Sequence, residues 1–127
     1  MLLGLIILCL SACQLSPFPT GSLQGEVKEA ASFDFAAEFQ LLQLETGGVY
    51  SVFLRVVIID HELYIDAAQN RRWHRNLKQD PNVRVKLGRF VYPAKAITVS
   101  DAKIESQFSK NRSIYRLIPN SMERSQP

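Results

Sequence analysis

Cysteine is scarce in this sequence of 127 residues, in which Cys9 and Cys13 are the two copies. Beyond Cys13 there is no thiol, which excludes a disulfide framework, a thiol nucleophile and a cysteine-ligated metal from the rest of the chain. The two histidines, His61 and His74, have no second ligand at metal spacing, so no metal site is predicted. The chain also lacks a Ser-His-Asp arrangement, a carboxylate pair and a glycine-rich phosphate loop. No catalytic side chain is therefore predicted.

Long apolar runs are equally scarce, because residues 2–10 are far fewer than the roughly 20 that a membrane-spanning helix needs. Their length is typical of the apolar core of a signal peptide. The following Leu10-Ser11-Ala12-Cys13 resembles the lipobox of bacterial lipoproteins. The resemblance implies a signal peptide over residues 1–12 and a lipid on Cys13. A buried N-terminal strand or helix, or a misassigned start codon, is the alternative.

The lipoprotein resemblance also implies a location and a domain organisation. Gln14, where Asp is absent, goes with export to the outer membrane, so the chain is expected in the bacterial cell envelope, anchored to membrane lipid and facing the periplasm. Residues 13–25, with the lipidated Cys13 at their start, are rich in Pro, Gly, Ser and Gln and are predicted to be a flexible tether. Residues 26–127 are predicted to form one domain.

Basic residues are rare before residue 71, where there are two basic and eight acidic residues. From Arg71 onward there are thirteen basic and four acidic residues. A fold that gathers the second half on one side would attract anions. The alternative is a solvated surface of mixed charge. An exported protein is not expected to meet nucleic acid, so none is predicted as a partner.

Apolar alternation and turn residues predict a mainly β (α+β) fold. The predicted strands are residues 39–45, 49–59, 62–67, 83–87 and 90–99. The second strand is apolar on both faces, which predicts a central position in the sheet. Pro93 predicts an edge strand or a bulge. Arg84 is predicted to point outward, so its replacement is expected to cost little stability. Asn70 is predicted to cap an inserted helix over residues 71–79, and Asp101 to cap a C-terminal helix. A weaker pattern predicts a helix over residues 27–37.

This order of elements, with sequential hairpins and no βαβ spacing, predicts a small, partly open antiparallel barrel. Motifs over about half of the chain resemble one protein group, the deazaflavin-dependent nitroreductase-like proteins within the flavin-binding split β-barrel superfamily. The motifs are Leu41-Leu-x-Leu-x-Thr-x-Gly-x-x-Ser51, Asp60-x-Glu-Leu-Tyr64, Arg72-Trp-x-Arg-Asn-Leu-x-x-Asp-Pro-x-Val-x-Val85, Gly88 and Ala94-x-Ala-x-x-Val-x-Asp101.

The resemblance implies a split barrel, commonly a homodimer, that binds FMN or a deazaflavin and acts as a reductase. Carried over residue by residue, the cofactor-binding positions are Ser51, Arg71, Arg72, Trp73, Arg75 and Asn76. A helix N-terminus with three arginines suits a phosphate independently of the family. The family's basic turn is replaced here by Gly47-Gly48, which favours the alternative of a non-enzymatic binding module that has lost the cofactor.

Three of these side chains also have a purely structural interpretation. Trp73 and Leu77 lie four residues apart on one helical face, which is typical of core anchors. Arg71 and Arg72 could pair with Asp66 or Glu62 and bind no ligand.

Overall fold

A computed structural model describes residues 21–120 of the chain. The predicted signal peptide, Cys13 and residues 13–20 of the predicted tether lie outside the described residues. Within residues 21–120, no helix is both long enough and apolar enough to span a membrane.

Eight strands of the described region form one mostly antiparallel sheet. They are β1 (Glu26–Val27), β2 (Leu41–Thr46), β3 (Tyr50–Arg55), β4 (Val57–Ile59), β5 (Glu62–Ala68), β6 (Asn82–Leu87), β7 (Phe90–Thr98) and β8 (Arg112–Pro119). The order across the sheet is β3-β2-β6-β7-β8-β5-β4, and β1 pairs in parallel with β7. A short 3-10 helix spans Asp34–Glu38, and two α-helices, α1 (Arg72–Gln79) and α2 (Ala102–Glu105), complete the described elements. This architecture confirms the predicted small split barrel.

One bent chain segment joins the two ends of the curled sheet. Val56 alone separates β3 from β4 in the sequence, yet these two strands lie at opposite ends of the sheet. The sheet must therefore curl until its two ends meet at this bend. The prediction of one central strand over residues 49–59 is wrong, because its two halves pair with different strands, β3 with β2 and β4 with β5. Residues 49–59 are apolar on both faces because the segment bends between two parts of the sheet and because its outer face keeps an exposed apolar side chain, Phe53, which is 52% exposed.

The predicted alternation of β6 is confirmed, since Val83, Val85 and Leu87 are buried in the barrel core. The intervening Arg84 and Lys86 lie on the other face, as predicted. Trp73 and Leu77 of α1 are also buried in this core, so the structural interpretation of this pair is confirmed.

The C-terminal part differs from the prediction of a terminal helix. Asp101 does cap α2, because its side chain accepts a hydrogen bond of 2.9 Å from the Lys103 N–H. The helix ends at Glu105, however, and the chain continues into β8. Strand β8 pairs with both β5 and β7, so it is an interior strand of the sheet. Ladder hydrogen bonds on both sides stabilise this segment as a strand, which short-range patterns do not reveal.

Asn70 and Pro93 also behave differently from the prediction. Asn70 does not cap α1, because it adopts a left-handed conformation (φ 63°) and Arg71 takes the N-cap position. Pro93 lies in an interior strand, where it is opposite Arg84 of β6 on one side. On the other side it lies between the segments of β7 that pair with β1 and β8, so its missing N–H interrupts no ladder on that side.

The described N-terminal segment crosses the outer face of the barrel, and we call residues 22–28 the N-terminal strap. Val27 lies in β1, so the predicted helix over residues 27–37 is wrong, and only the 3-10 helix forms there. Leu23 is buried, although it falls in the segment predicted to be a tether. Its N–H donates to Glu45 Oε2 at 2.6 Å, and its carbonyl accepts from Arg84 Nη2 at 3.2 Å. Contacts with the domain therefore begin before residue 26.

Candidate functional site: an arginine-lined groove in the split

A groove of about 630 Å³ opens where β3 and β5 diverge. The register explains this position, because β4 pairs only with Glu62–Tyr64 of β5 while β3 turns away to pair with β2. Ala68, at the end of β5, and the start of α1 also line the groove. The volume lies within the range of about 300–1,000 Å³ that is typical of small-molecule sites.

Four arginines line this space, which we call the arginine groove. Arg71, Arg72 and Arg75 come from the beginning of α1, and Arg112 comes from the start of β8. All four residues are exposed, so their charges lie at the groove surface. No carboxylate is among the described residues that line the groove, so the lining is positively charged and attractive to anions.

Contacts within the protein orient three of these guanidinium groups. The Arg72 guanidinium lies over the Tyr50 ring, 4.6 Å from its centroid. Arg75 Nη1 donates to the Asn70 carbonyl at 2.8 Å, which holds the left-handed turn before α1. Arg112 Nε donates to Asp66 Oδ2 at 2.8 Å.

The other lining residues are mainly apolar. Tyr50, Val52, Phe53 and Leu54 of β3 form one bank, and Trp73 contributes from α1. Trp73 is only 6% exposed, so most of its ring belongs to the core and a small part reaches the groove. An apolar bank beside clustered guanidinium groups suits a ligand that has an aromatic body and an anionic tail.

Buried polar contacts fix α1 against the barrel. His74 Nε2 and the Tyr115 hydroxyl are 2.9 Å apart, and both residues are buried. Burial and the charge of Lys78 lower the pKa of His74, against a hydrogen bond with the Ala68 backbone that raises it. Burial raises the pKa of Tyr115, so this pair is neutral near pH 7.

The predicted cofactor positions fall into two groups in the structure. Arg71, Arg72, Trp73 and Arg75 line the groove together. Ser51 is fully buried beside Glu45 on the β2–β3 ladder, and is not among the lining residues.

Asn76 also lies outside the groove lining. Its Nδ2 donates to Thr46 Oγ1 at 3.2 Å, and it lies next to Gly47 in the turn between β2 and β3. Asn76 therefore ties α1 to this turn. The alternative in which Asp66 pairs with Arg71 or Arg72 also differs from the structure, where the ion pair recorded for Asp66 is with Arg112.

Sequence reasoning missed Arg112 and the β3 bank. Arg112 was missed because β8 was not predicted, although Ile114, Tyr115 and Leu117 are the β-branched, aromatic and apolar residues expected of a strand. Tyr50 and Phe53 were missed because their strand was predicted to be covered on both sides.

Comparison with solved structures supports the barrel assignment. A pyridoxamine 5′-phosphate oxidase-like protein from Listeria innocua matches with a TM-score of 0.57 at 12% identity, over 66% of this chain and 86% of its own. The haem storage protein HutZ from Vibrio cholerae matches with a TM-score of 0.51 at 18% identity, over 68% of this chain and 85% of its own. No protein-family model and no curated protein matches the sequence. At these identities the likeness shows the fold alone, which is that of a small split barrel.

Proposed function

We propose that the arginine groove binds a flavin or deazaflavin through its phosphate-bearing tail, and that the protein is an oxidoreductase. The observation that carries the proposal is the convergence of four arginines on a groove with an aromatic and apolar bank. When bound, such a cofactor supplies the hydride-transfer chemistry. The chain's own residues then bind and orient it, which agrees with the absence of a predicted catalytic side chain.

The donor set fits this ligand class. Guanidinium groups donate charge-assisted hydrogen bonds to phosphate, and the N-terminal end of α1 adds a partial positive charge. The planar guanidinium of Arg72 lies on the face of the Tyr50 ring. A flat group that displaces this guanidinium can therefore stack on the same face. A cofactor ring stacked there would take the place of the Arg72 guanidinium and leave it free to bind phosphate.

The fold of HutZ raises haem as another planar, anionic ligand. The lining residues of the arginine groove, taken from the described part of the chain, include no histidine, cysteine or methionine to ligate iron, and the tyrosine among them, Tyr50, lies with its ring under the Arg72 guanidinium. His74 is buried and bonded to Tyr115, so it is not available from the groove. The side chains present therefore favour a flavin or deazaflavin.

Titration of the purified domain with FMN and with a deazaflavin cofactor tests the proposal. We expect quenching of the cofactor's fluorescence, a raised melting temperature and an affinity that falls with added salt, because exposed charges are screened. Arg72→Gln should weaken binding about tenfold, the value of one charge-assisted hydrogen bond at a partly solvated site.

Arg89→Gln is the matched control for this titration. Arg89 also lies over an aromatic ring, that of Phe90, at 4.9 Å, but it is not among the residues lining the groove. It should therefore leave cofactor affinity unchanged. No binding by the wild-type domain at high micromolar cofactor would reject the proposal and leave the non-enzymatic binding module as the better interpretation.

We also propose that the protein is anchored to membrane lipid through Cys13, at the periplasmic side of the outer membrane. This first proposal is supported by the lipobox-like sequence.

We propose, second, that the protein is a homodimer. The second is supported by Phe53 and Leu41, which are exposed on the same outer face of β2 and β3. Sedimentation of wild type and of Phe53→Ser tests the second, with a dimer expected for the wild type and a monomer for the variant.

A further inference from the structure

Arg112 reaches the arginine groove from a different element than the other three arginines. It begins β8, opposite Ala68 of β5, whereas Arg71, Arg72 and Arg75 belong to the start of α1. The family's basic turn is absent here, because Gly47-Gly48 stands in its place. Arg112 thus supplies positive charge from a part of the chain more than 60 residues away from that turn.

Asp66 holds Arg112 in a defined orientation. Their contact is a hydrogen bond of 2.8 Å from Nε to Oδ2, and both side chains are partly exposed. The recorded bond uses Nε, so the Nη nitrogens can donate to a ligand. A guanidinium that is already oriented loses less side-chain entropy when it binds an anion.

The helix arginines are sufficient for one phosphate. Three guanidinium groups near the start of α1 offer more donors than the terminal oxygens of a single phosphate group accept. A fourth guanidinium on a separate element is then in place for another anionic group of the same ligand.

We propose that Arg112 contacts a second anionic group, so that the arginine groove selects cofactors with two linked anionic groups over monophosphates. A flavin dinucleotide, whose tail is a diphosphate, belongs to this class, and FMN does not. Asp66 is the positioning residue for Arg112. This inference rests on the proposed function, because it assigns the cofactor's tail within the same groove.

Equilibrium titrations of wild type with riboflavin, FMN and FAD test the selectivity. These flavins share one ring system and differ in having no phosphate, one phosphate or two. We expect FAD to bind about tenfold more tightly than FMN, since one further charge-assisted hydrogen bond is made. Arg112→Gln should weaken FAD binding about tenfold and FMN binding less than twofold, whereas Arg72→Gln should weaken both.

Asp66→Asn separates positioning from folding. It removes the ion pair but keeps Arg112, so the preference for FAD over FMN should shrink without disappearing, because Arg112 is less well oriented. Arg112→Gln, which loses the same ion pair, should abolish the preference at the same melting temperature as Asp66→Asn. A preference for FAD that survives in Arg112→Gln would assign it to the adenosine moiety and overturn the inference. Equal affinity of wild type for FMN and FAD would overturn the inference alone, whereas no binding of any flavin or of the deazaflavin cofactor would overturn the proposed function with it.

Discussion

Replacement of Arg84 by alanine is the most direct test of the forces that hold the N-terminal strap on the barrel. Arg84 forms a bidentate pair with Glu45, with Nε to Oε1 and Nη2 to Oε2 both 2.9 Å. Glu45 also accepts the Leu23 N–H. The alternation of β6 predicted correctly that Arg84 points outward, but its expected low cost overlooks the buried carboxylate that it meets there.

The magnitude follows from the exposure of the two partners. The Glu45 side chain is 5% exposed and that of Arg84 is 33% exposed. Removing one partner of a buried pair costs about 3–5 kcal/mol, whereas exposed pairs contribute about 0–1 kcal/mol. Because water screens the Arg84 side, we expect Arg84→Ala to lower the free energy of unfolding by about 2 kcal/mol. For a domain of this size, that corresponds to a decrease of about 8–16 °C in melting temperature.

The loss should depend on pH. Burial raises the pKa of Glu45, but hydrogen bonds from Arg84 and from the Leu23 N–H, together with the charge of Arg84, hold it below its usual value. In the wild type this carboxylate therefore contributes stability at neutral pH that is lost as the pH falls through its lowered pKa. In Arg84→Ala both effects of Arg84 are gone and burial remains, so the difference in free energy of unfolding between variant and wild type should narrow as the pH falls. The narrowing should begin above the usual glutamate pKa of 4.5 and continue through the lowered pKa of wild-type Glu45.

Urea unfolding of Arg84→Ala, Glu45→Gln and the double variant measures the coupling. We expect the pair to couple by at least about 1 kcal/mol, the range for residues in one charge network. Lys86→Ala is the matched control, since Lys86 Nζ binds the Gln24 carbonyl in an exposed contact. If Arg84→Ala costs no more than Lys86→Ala, or if the coupling is absent, the ion pair does not stabilise the strap and the argument is refuted.

Three further changes have defined outcomes. Leu87→Ala should lower the free energy of unfolding by about 2–5 kcal/mol in urea titrations, because the side chain is buried in the barrel core; a loss below 1 kcal/mol would contradict that placement. Because the pKa of His74 is lowered, the free energy of unfolding of the wild type should fall by up to about 1.4 kcal/mol per pH unit below about pH 6.5. His74→Gln should reduce this slope when it is measured at constant urea, and an unchanged slope would contradict the argument. Cys13→Ala should abolish metabolic lipid labelling and leave the precursor uncleaved, and unchanged membrane partition and mass would contradict the anchor proposal.

Local signals predicted much of the hairpin framework. Gly47, Gly48 and the Asp60-His61 turn adopt positive φ in the gaps between the predicted strands 39–45, 49–59 and 62–67, because positive φ is a property of single residues. The clean alternation of β6 was sufficient to identify its buried face. Three arginines at the start of α1 were recognised as an anion site candidate because they are neighbours in the sequence.

The candidate site was only partly predictable, because its arrangement depends on contacts between residues far apart in the chain. Ser51 and Asn76 have side chains suited to phosphate, but strand register buries Ser51 beside Glu45 and helix phase directs Asn76 to Thr46. Arg112 joins the site through pairing between Ala68 of β5 and the start of β8. None of these relations is encoded within a short window of sequence.

The sequence by itself determined the β-rich class, the hairpin turns, the inserted helix α1 and the concentration of positive charge after residue 70, since these depend on residues close together in the chain. Only the tertiary structure decided that residues 49–59 are divided between the two ends of the sheet, that β8 is inserted between β5 and β7, and that the resulting split carries four arginines. Closure of a barrel depends on pairing between distant strands, and its free energy is shared by the whole sheet. For that reason the groove exists only in the folded domain.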